Sequence, residues 1–145
     1  MNEEERWNHL AELDRGLLKG GVILSAWCSF IVKQADTAFA RGAFLASILT
    51  AVSGIETYLR SAYGNNERES LNDLINRASI EDDLKRDLHA LRTYRNKWVH
   101  VNDPWNEMRL KVSPEVLEKE LEDMAFFAAK ALRRTIYENQ WQRNG

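Results

Sequence analysis

Proline is confined to two positions, Pro104 and Pro114, so the chain before Pro104 holds no residue that forbids a helix. Apolar residues in that stretch recur at helical spacing, and almost no run alternates with the period of a strand. The pattern predicts an all-α chain whose one real loop lies between the prolines.

Asn2 followed by Glu3, Glu4 and Glu5 makes a helix start, with an apolar face through Trp7, Leu10, Leu13, Leu17 and Leu18 that closes at Gly20 and Gly21. From Val22, residues Ile23, Trp27, Phe30 and Ile31 keep helical spacing to a kink or short turn near Gly42. A longer helix is expected from about Ala43 to Tyr63. Ser70 with Asp73 and Ser79 with Asp82 form capping-box patterns, predicting a short helix and then one that runs to about Asn102. Pro104 disfavours helical geometry at Asp103, which ends it. Ser113 as N-cap and Pro114 at the first helical position open a final helix with a stripe through Leu117, Leu121, Met124, Ala128 and Leu132.

A chain of 145 residues with 44% hydrophobic content is long enough for one core and too short to expect two. Its formal charge of −2 argues against a broad basic coat for nucleic acid, leaving only a local cluster to bind phosphate. The single cysteine, Cys28, excludes an internal disulfide framework, and His9, His89 and His100 lack metal-ligand spacing. The longest apolar run carries roughly a dozen apolar or small residues where a bilayer span needs about 20. The N-terminus is acidic where a signal peptide would be basic. A cytoplasmic chain with no membrane association, metal or other cofactor is expected.

Helical periodicity singles out particular charges. Leu84, Leu88, Leu91, Arg95 and Trp98 lie within roughly 80° of one another on a helix, which places Arg95 inside an apolar stripe. The stripe Leu45, Ile48, Leu49, Val52, Leu59 and Tyr63 likewise contains Glu56. Each charge is the natural partner of the other, because an unpaired buried charge costs roughly several kcal/mol. The pair would either fix helix register or belong to a site. His100 follows Asn96 by four residues and would neighbour it, whereas Arg95 and His100 stand about 140° apart. A histidine at a helix C-terminus also suits the dipole without further role, and His9 and His89 carry only such structural readings. Trp105 and Trp141 would favour a protein interface if exposed, while either could equally cap the core.

The segment Arg95-Asn96-Lys97-Trp98-Val99-His100 resembles the Arg-x4-6-His motif of HEPN domains, the all-α family of many prokaryotic RNase toxins and abortive-infection proteins. Residues 43–64, ending in Glu56-x-x-Leu59-Arg60, are similar to that family's second long helix. Residues 69–78 resemble the short helix that follows, and residues 88–100 resemble the motif helix. The resemblance covers about residues 22–132 of a single domain, with residues 1–20 as an additional helix, and implies a bundle of about five to six helices.

It further implies a metal-independent endoribonuclease working as a homodimer, the motifs of two subunits facing each other across a shared cleft. His100 would be the general acid or base at the ribose 2′-OH, and Arg95 would stabilise charge developing on the phosphoryl oxygens. Asn96 would orient His100 or the phosphate, Glu56 would hold Arg95, and Arg92 and Lys97 would line the RNA path. In toxins paired with a nucleotidyltransferase antitoxin, a tyrosine stands two positions beyond the motif histidine. Asn102 occupies that position here, so control by modifying that tyrosine is not supported, while an antitoxin or regulatory partner encoded elsewhere is compatible with the resemblance. The other readings are a non-catalytic HEPN-like dimer that binds or scaffolds protein, and a nucleotide-binding module.

Overall fold

The computed structural model describes residues 1–18, 24–66, 68–111 and 113–143, with side chains as far as residue 137. Among the described residues there are six α-helices, two short 3-10 turns and no strand. The helices are α1 (Glu3–Leu17), α2 (Ala26–Ala40), α3 (Phe44–Tyr63), α4 (Leu71–Arg77), α5 (Asp82–Val99) and α6 (Pro114–Arg143). The 3-10 turns, Pro104–Asn106 and Met108–Lys111, fall between the prolines, where the loop is expected. No described helix is long and apolar enough to cross a membrane. The expected Gly20–Gly21 break, the start of a helix at Val22 and Ile23, and the exposure of Trp141 lie outside the described residues.

Local chemistry explains most boundaries. The Asn2 side chain accepts from the Glu5 amide while Glu5 reaches back to the Asn2 amide, a complete capping box. Ser25 caps α2 through the Cys28 amide and Ser70 caps α4 through the Asp73 amide. Between α2 and α3 the chain reverses at Gly42, whose φ of 84° is in the left-handed region that favours glycine. The expected Ser79 cap does not form: α5 begins only at Asp82, with Glu81 as N-cap and no side-chain bond at the cap. Ile80 packs against the core instead, which holds residues 79–81 as a connector.

The central element is α3, whose Phe44, Ile48, Ala51, Val52, Ile55 and Leu59 are buried among the other helices. Facing it, α6 presents Ala125, Ala128, Ala129 and Ala131 around Leu132 and Ile136, and these small side chains let the helices approach closely. At Gly54 a Cβ would stand 3.0 Å from Ile31 and 3.2 Å from Leu132, so α2, α3 and α6 meet where a side chain is missing. Leu71, Leu74, Ile75, Leu84, Leu88 and Leu91 extend the core through α4 and α5.

One guanidinium joins three helices. Arg133 on α6 is fully buried and donates two hydrogen bonds to Asp36 on α2, Nη1 to Oδ1 at 2.9 Å and Nη2 to Oδ2 at 2.6 Å. Its Nε donates to Asp14 Oδ1 on α1 at 2.9 Å, and the Tyr137 hydroxyl donates to the same oxygen at 3.0 Å. Burial pushes the Asp36 carboxyl above its ordinary range, although the hydrogen bond and charge of Arg133 pull it back in part. For Arg133, burial opposes the charge, but Asp36 and Asp14 outweigh it and raise the guanidinium further.

Removing one member of such a buried set leaves the others uncompensated, so Arg133→Ala should lower the unfolding free energy by about 3–5 kcal/mol. Lys119→Ala, which deletes an exposed pair with Asp123, should change it by less than about 1 kcal/mol. Urea denaturation of both variants provides the comparison.

Candidate functional site

The C-terminal turn of α5 is shaped by what the chain does next. His100 is the C-cap, with φ −122° and ψ 54°, and its amide still donates to the Asn96 carbonyl at 3.1 Å. The helix therefore stops at Val99, a turn before the Asn102 expected from Pro104 alone. Asp103 organises the reversal: its Oδ1 accepts from the Trp105 amide at 3.1 Å and its Oδ2 from Asn106 Nδ2 at 3.0 Å. Pro104 occupies the first position of that 3-10 turn, where its missing N–H is no loss.

The following turn folds back onto α5 through Arg109. Its Nη2 donates to the Lys97 carbonyl, one of the acceptors that a helix end leaves without an internal partner. Its guanidinium carbon lies 4.5 Å from the centre of the Trp98 ring, within cation–π range. Its Nε donates to Glu107 Oε1 at 2.5 Å, and its amide reaches the same oxygen at 3.2 Å. Hydrogen bonding to Arg109 holds the Glu107 carboxyl down at about 2, and the same contact raises the Arg109 guanidinium above its ordinary value.

This arrangement encloses one side of an open concavity of about 510 Å³ lined by Lys97, His100, Asn102, Asp103, Asn106, Glu107 and Arg109, among others. His100 is exposed, and among the described residues its ring has no hydrogen-bond partner. The Lys97 ammonium likewise has no ion-pair partner there. Of the residues chosen from sequence, then, Lys97 and His100 share one space.

The other chosen residues are arranged differently. Arg95 is half-buried and its Nε donates to Asn96 Oδ1 at 2.9 Å, in the same final turns as His100 but outside the residues lining the concavity. Arg92 is half-buried, with its Nε shielded from water. The expected Glu56–Arg95 pair is replaced by two local contacts: Glu56 faces Arg60 at 3.9 Å, one turn along α3, while Arg95 turns to Asn96. Glu56 follows buried Ile55 and lies about 100° round the helix from it, on the margin of the buried face rather than within it. Neither charge is buried deeply enough to require the other.

The remaining histidines have structural partners. His9 Nδ1 lies 2.8 Å from the Glu5 carbonyl, and His89 Nε2 lies 2.8 Å from Asn76 Oδ1. Partial burial, together with Arg92 and Lys85, lowers the His89 pKa. Among the described residues no three His, Cys, Asp or Glu side chains gather as metal ligands would. Periodicity does not single out Glu107 and Arg109, because they sit in a segment without helical period; their only signal is an acid and a base two residues apart just after a helix end.

Met108, on the concavity's lining, is exposed, as are Val99, Trp105 and Leu110 nearby in the chain, Trp105 to 90%. No family model, curated protein or solved structure matches this chain.

The depressed Glu107 carboxyl gives a pH signature. A group held below its ordinary value of 4.5 contributes to the fold above that value and loses its contribution as pH falls toward about 2. In an NMR titration the Arg109 Nε–H resonance should therefore hold its bonded position down to about pH 4 and shift only as pH approaches 2.

Proposed function

We propose that this chain is a metal-independent endoribonuclease of the HEPN type that acts as a homodimer. The observation that carries the reading is the exposed, partnerless His100 imidazole on an open concavity, one turn beyond a mutually oriented Arg95–Asn96 pair. Support also comes from the all-α architecture, in which the motif helix ends at that histidine.

In this mechanism the ribose 2′-oxygen attacks the adjacent phosphorus while the bond from phosphorus to the 5′-oxygen breaks. One imidazole takes the 2′-OH proton and a protonated one delivers a proton to the leaving 5′-oxygen. The products are a 2′,3′-cyclic phosphate and a 5′-hydroxyl. Each chain offers one solvent-facing imidazole at this position, so two subunits supply both proton-transfer groups. Arg95 stabilises the charge on the non-bridging oxygens as a permanently cationic planar fork, and Asn96 orients that fork through its side-chain oxygen. Lys97 and Arg92 add positive charge along the RNA path. The subunits join through the apolar rim formed by Val99, Trp105, Met108 and Leu110, whose exposure suits an interface core.

A non-catalytic binding module is the second reading, favoured by the same rim and by the chain's slight net negative charge. Single-stranded RNA incubated in EDTA separates the two. Wild type should yield cyclic-phosphate ends, and His100→Ala should cut at least about 100-fold more slowly while remaining folded. Equal cleavage by both, or none by either, would move the assignment to the binding module. Trp105→Asp should sediment as a monomer and lose cleavage together with dimerisation.

A further inference from the structure

We infer that Arg109, seated beside Lys97 and His100 in one concavity, is a phosphate-contacting residue of this site, with Glu107 as its counter-ion. The inference rests on the nuclease reading for the identity of its ligand, a single-stranded nucleic-acid backbone.

The side chain is held as a preorganised fork. Trp98 supports the guanidinium face, Glu107 holds Nε, and the Lys97 carbonyl holds Nη2. A guanidinium has five N–H donors, and these contacts engage Nε and one Nη2 donor. Nη1 has no acceptor and is shielded from water, so the second Nη2 hydrogen is the donor left for a ligand, on a side chain that is 28% exposed. A cation whose position is fixed before a ligand arrives loses little side-chain freedom on binding, which favours recognition of an anion.

The charges around the concavity point the same way. Asp103 is one of its two carboxylates, and both of its oxygens are already engaged by Trp105 and Asn106 within its own turn. Glu107, the other, is matched by Arg109. That leaves the Lys97 ammonium and the His100 imidazole without partners on the same lining. Formal charges on the lining balance, Lys97 and Arg109 against Asp103 and Glu107, but the Lys97 ammonium is the charged group left without a bonded partner beside His100. Arg109 keeps one Nη2 hydrogen unengaged while remaining bonded to Glu107, so a phosphodiester need not displace the carboxylate. Glu107 nonetheless opposes the ligand's charge, and in that respect restrains affinity.

A merely structural latch and a phosphate contact differ in what happens when Glu107 is neutralised. A fluorescein-labelled single-stranded oligodeoxynucleotide serves as probe, since without a 2′-OH it is not cut by the proposed chemistry. Its binding is followed by anisotropy across a NaCl series for wild type, Arg109→Gln, Arg109→Lys and Glu107→Gln. Arg109→Gln should weaken binding about tenfold and reduce the slope of log affinity against log salt by about 0.7, the loss of one single-strand phosphate contact. Arg109→Lys should keep the slope but recover only part of the affinity, because the fork is gone. Glu107→Gln should tighten binding about threefold or more.

An unchanged slope in Arg109→Gln overturns the assignment. So does weakening in Glu107→Gln parallel to that in Arg109→Gln, which would mark the pair as a latch only, and so does a wild type that does not bind the probe. Parallel RNA cleavage separates this from the nuclease reading. Arg109-dependent binding without cleavage keeps the phosphate contact and removes the nuclease, whereas cleavage with Arg109-independent binding does the reverse.

Discussion

A fully buried guanidinium sets the condition that the bundle must satisfy. Desolvating Arg133 is unfavourable by itself, and only carboxylates placed at hydrogen-bond distance offset the cost. Asp36 and Asp14 do this from α2 and α1, so three helices are fixed in register as well as in contact. A purely apolar face between helices tolerates sliding, since any close fit of similar area is nearly equivalent. Directional bonds at 2.6–2.9 Å do not. The close crossing of α2, α3 and α6 at Gly54 depends on that register, because a shift by one residue would present a Cβ where none fits.

Much of this architecture is legible in the sequence because its causes are local. Asn2 with Glu5 and Ser70 with Asp73 act over a single turn, and Pro104 and Pro114 delimit the loop through their own geometry. The errors share a physical origin. A stripe identifies residues that share a helix face, but not where the core that buries the face comes to an end. Arg95 continues the line of Leu84, Leu88 and Leu91, yet only those leucines are buried. Glu56 shares a stripe with buried Ile48, Val52 and Leu59 but stands at the margin of that buried face. The Arg133 network was invisible for the opposite reason, since its members come together only in the folded bundle and no pattern of spacing links them.

For the candidate site, sequence identified the turn but not its surroundings. Arg95, Asn96, Lys97 and His100 are sequential neighbours and any helix keeps them close. The concavity that gives His100 and Lys97 a shared space depends on residues 103–109 doubling back, which follows from Asp103 capping its own turn and Arg109 reaching a carbonyl at the end of α5. Side chains that satisfy helix-end groups thus build the pocket walls. The chemistry and the stability of that corner are joined, and a substitution that loosens the turn also reshapes the place where a ligand would sit.

The partners of Arg133 lie 97 and 119 residues earlier in the chain. A polypeptide emerging from the ribosome therefore presents Asp14 and Asp36 long before their cation exists, and α3 is made before the helix that covers it. Contacts of such separation slow folding, because a long loop must close before they form. Until α6 has been synthesised, α2 and α3 have each other to pack on, but the face of α3 that α6 covers stays open. That face is exposed hydrophobic surface while translation lasts, when association competes with folding.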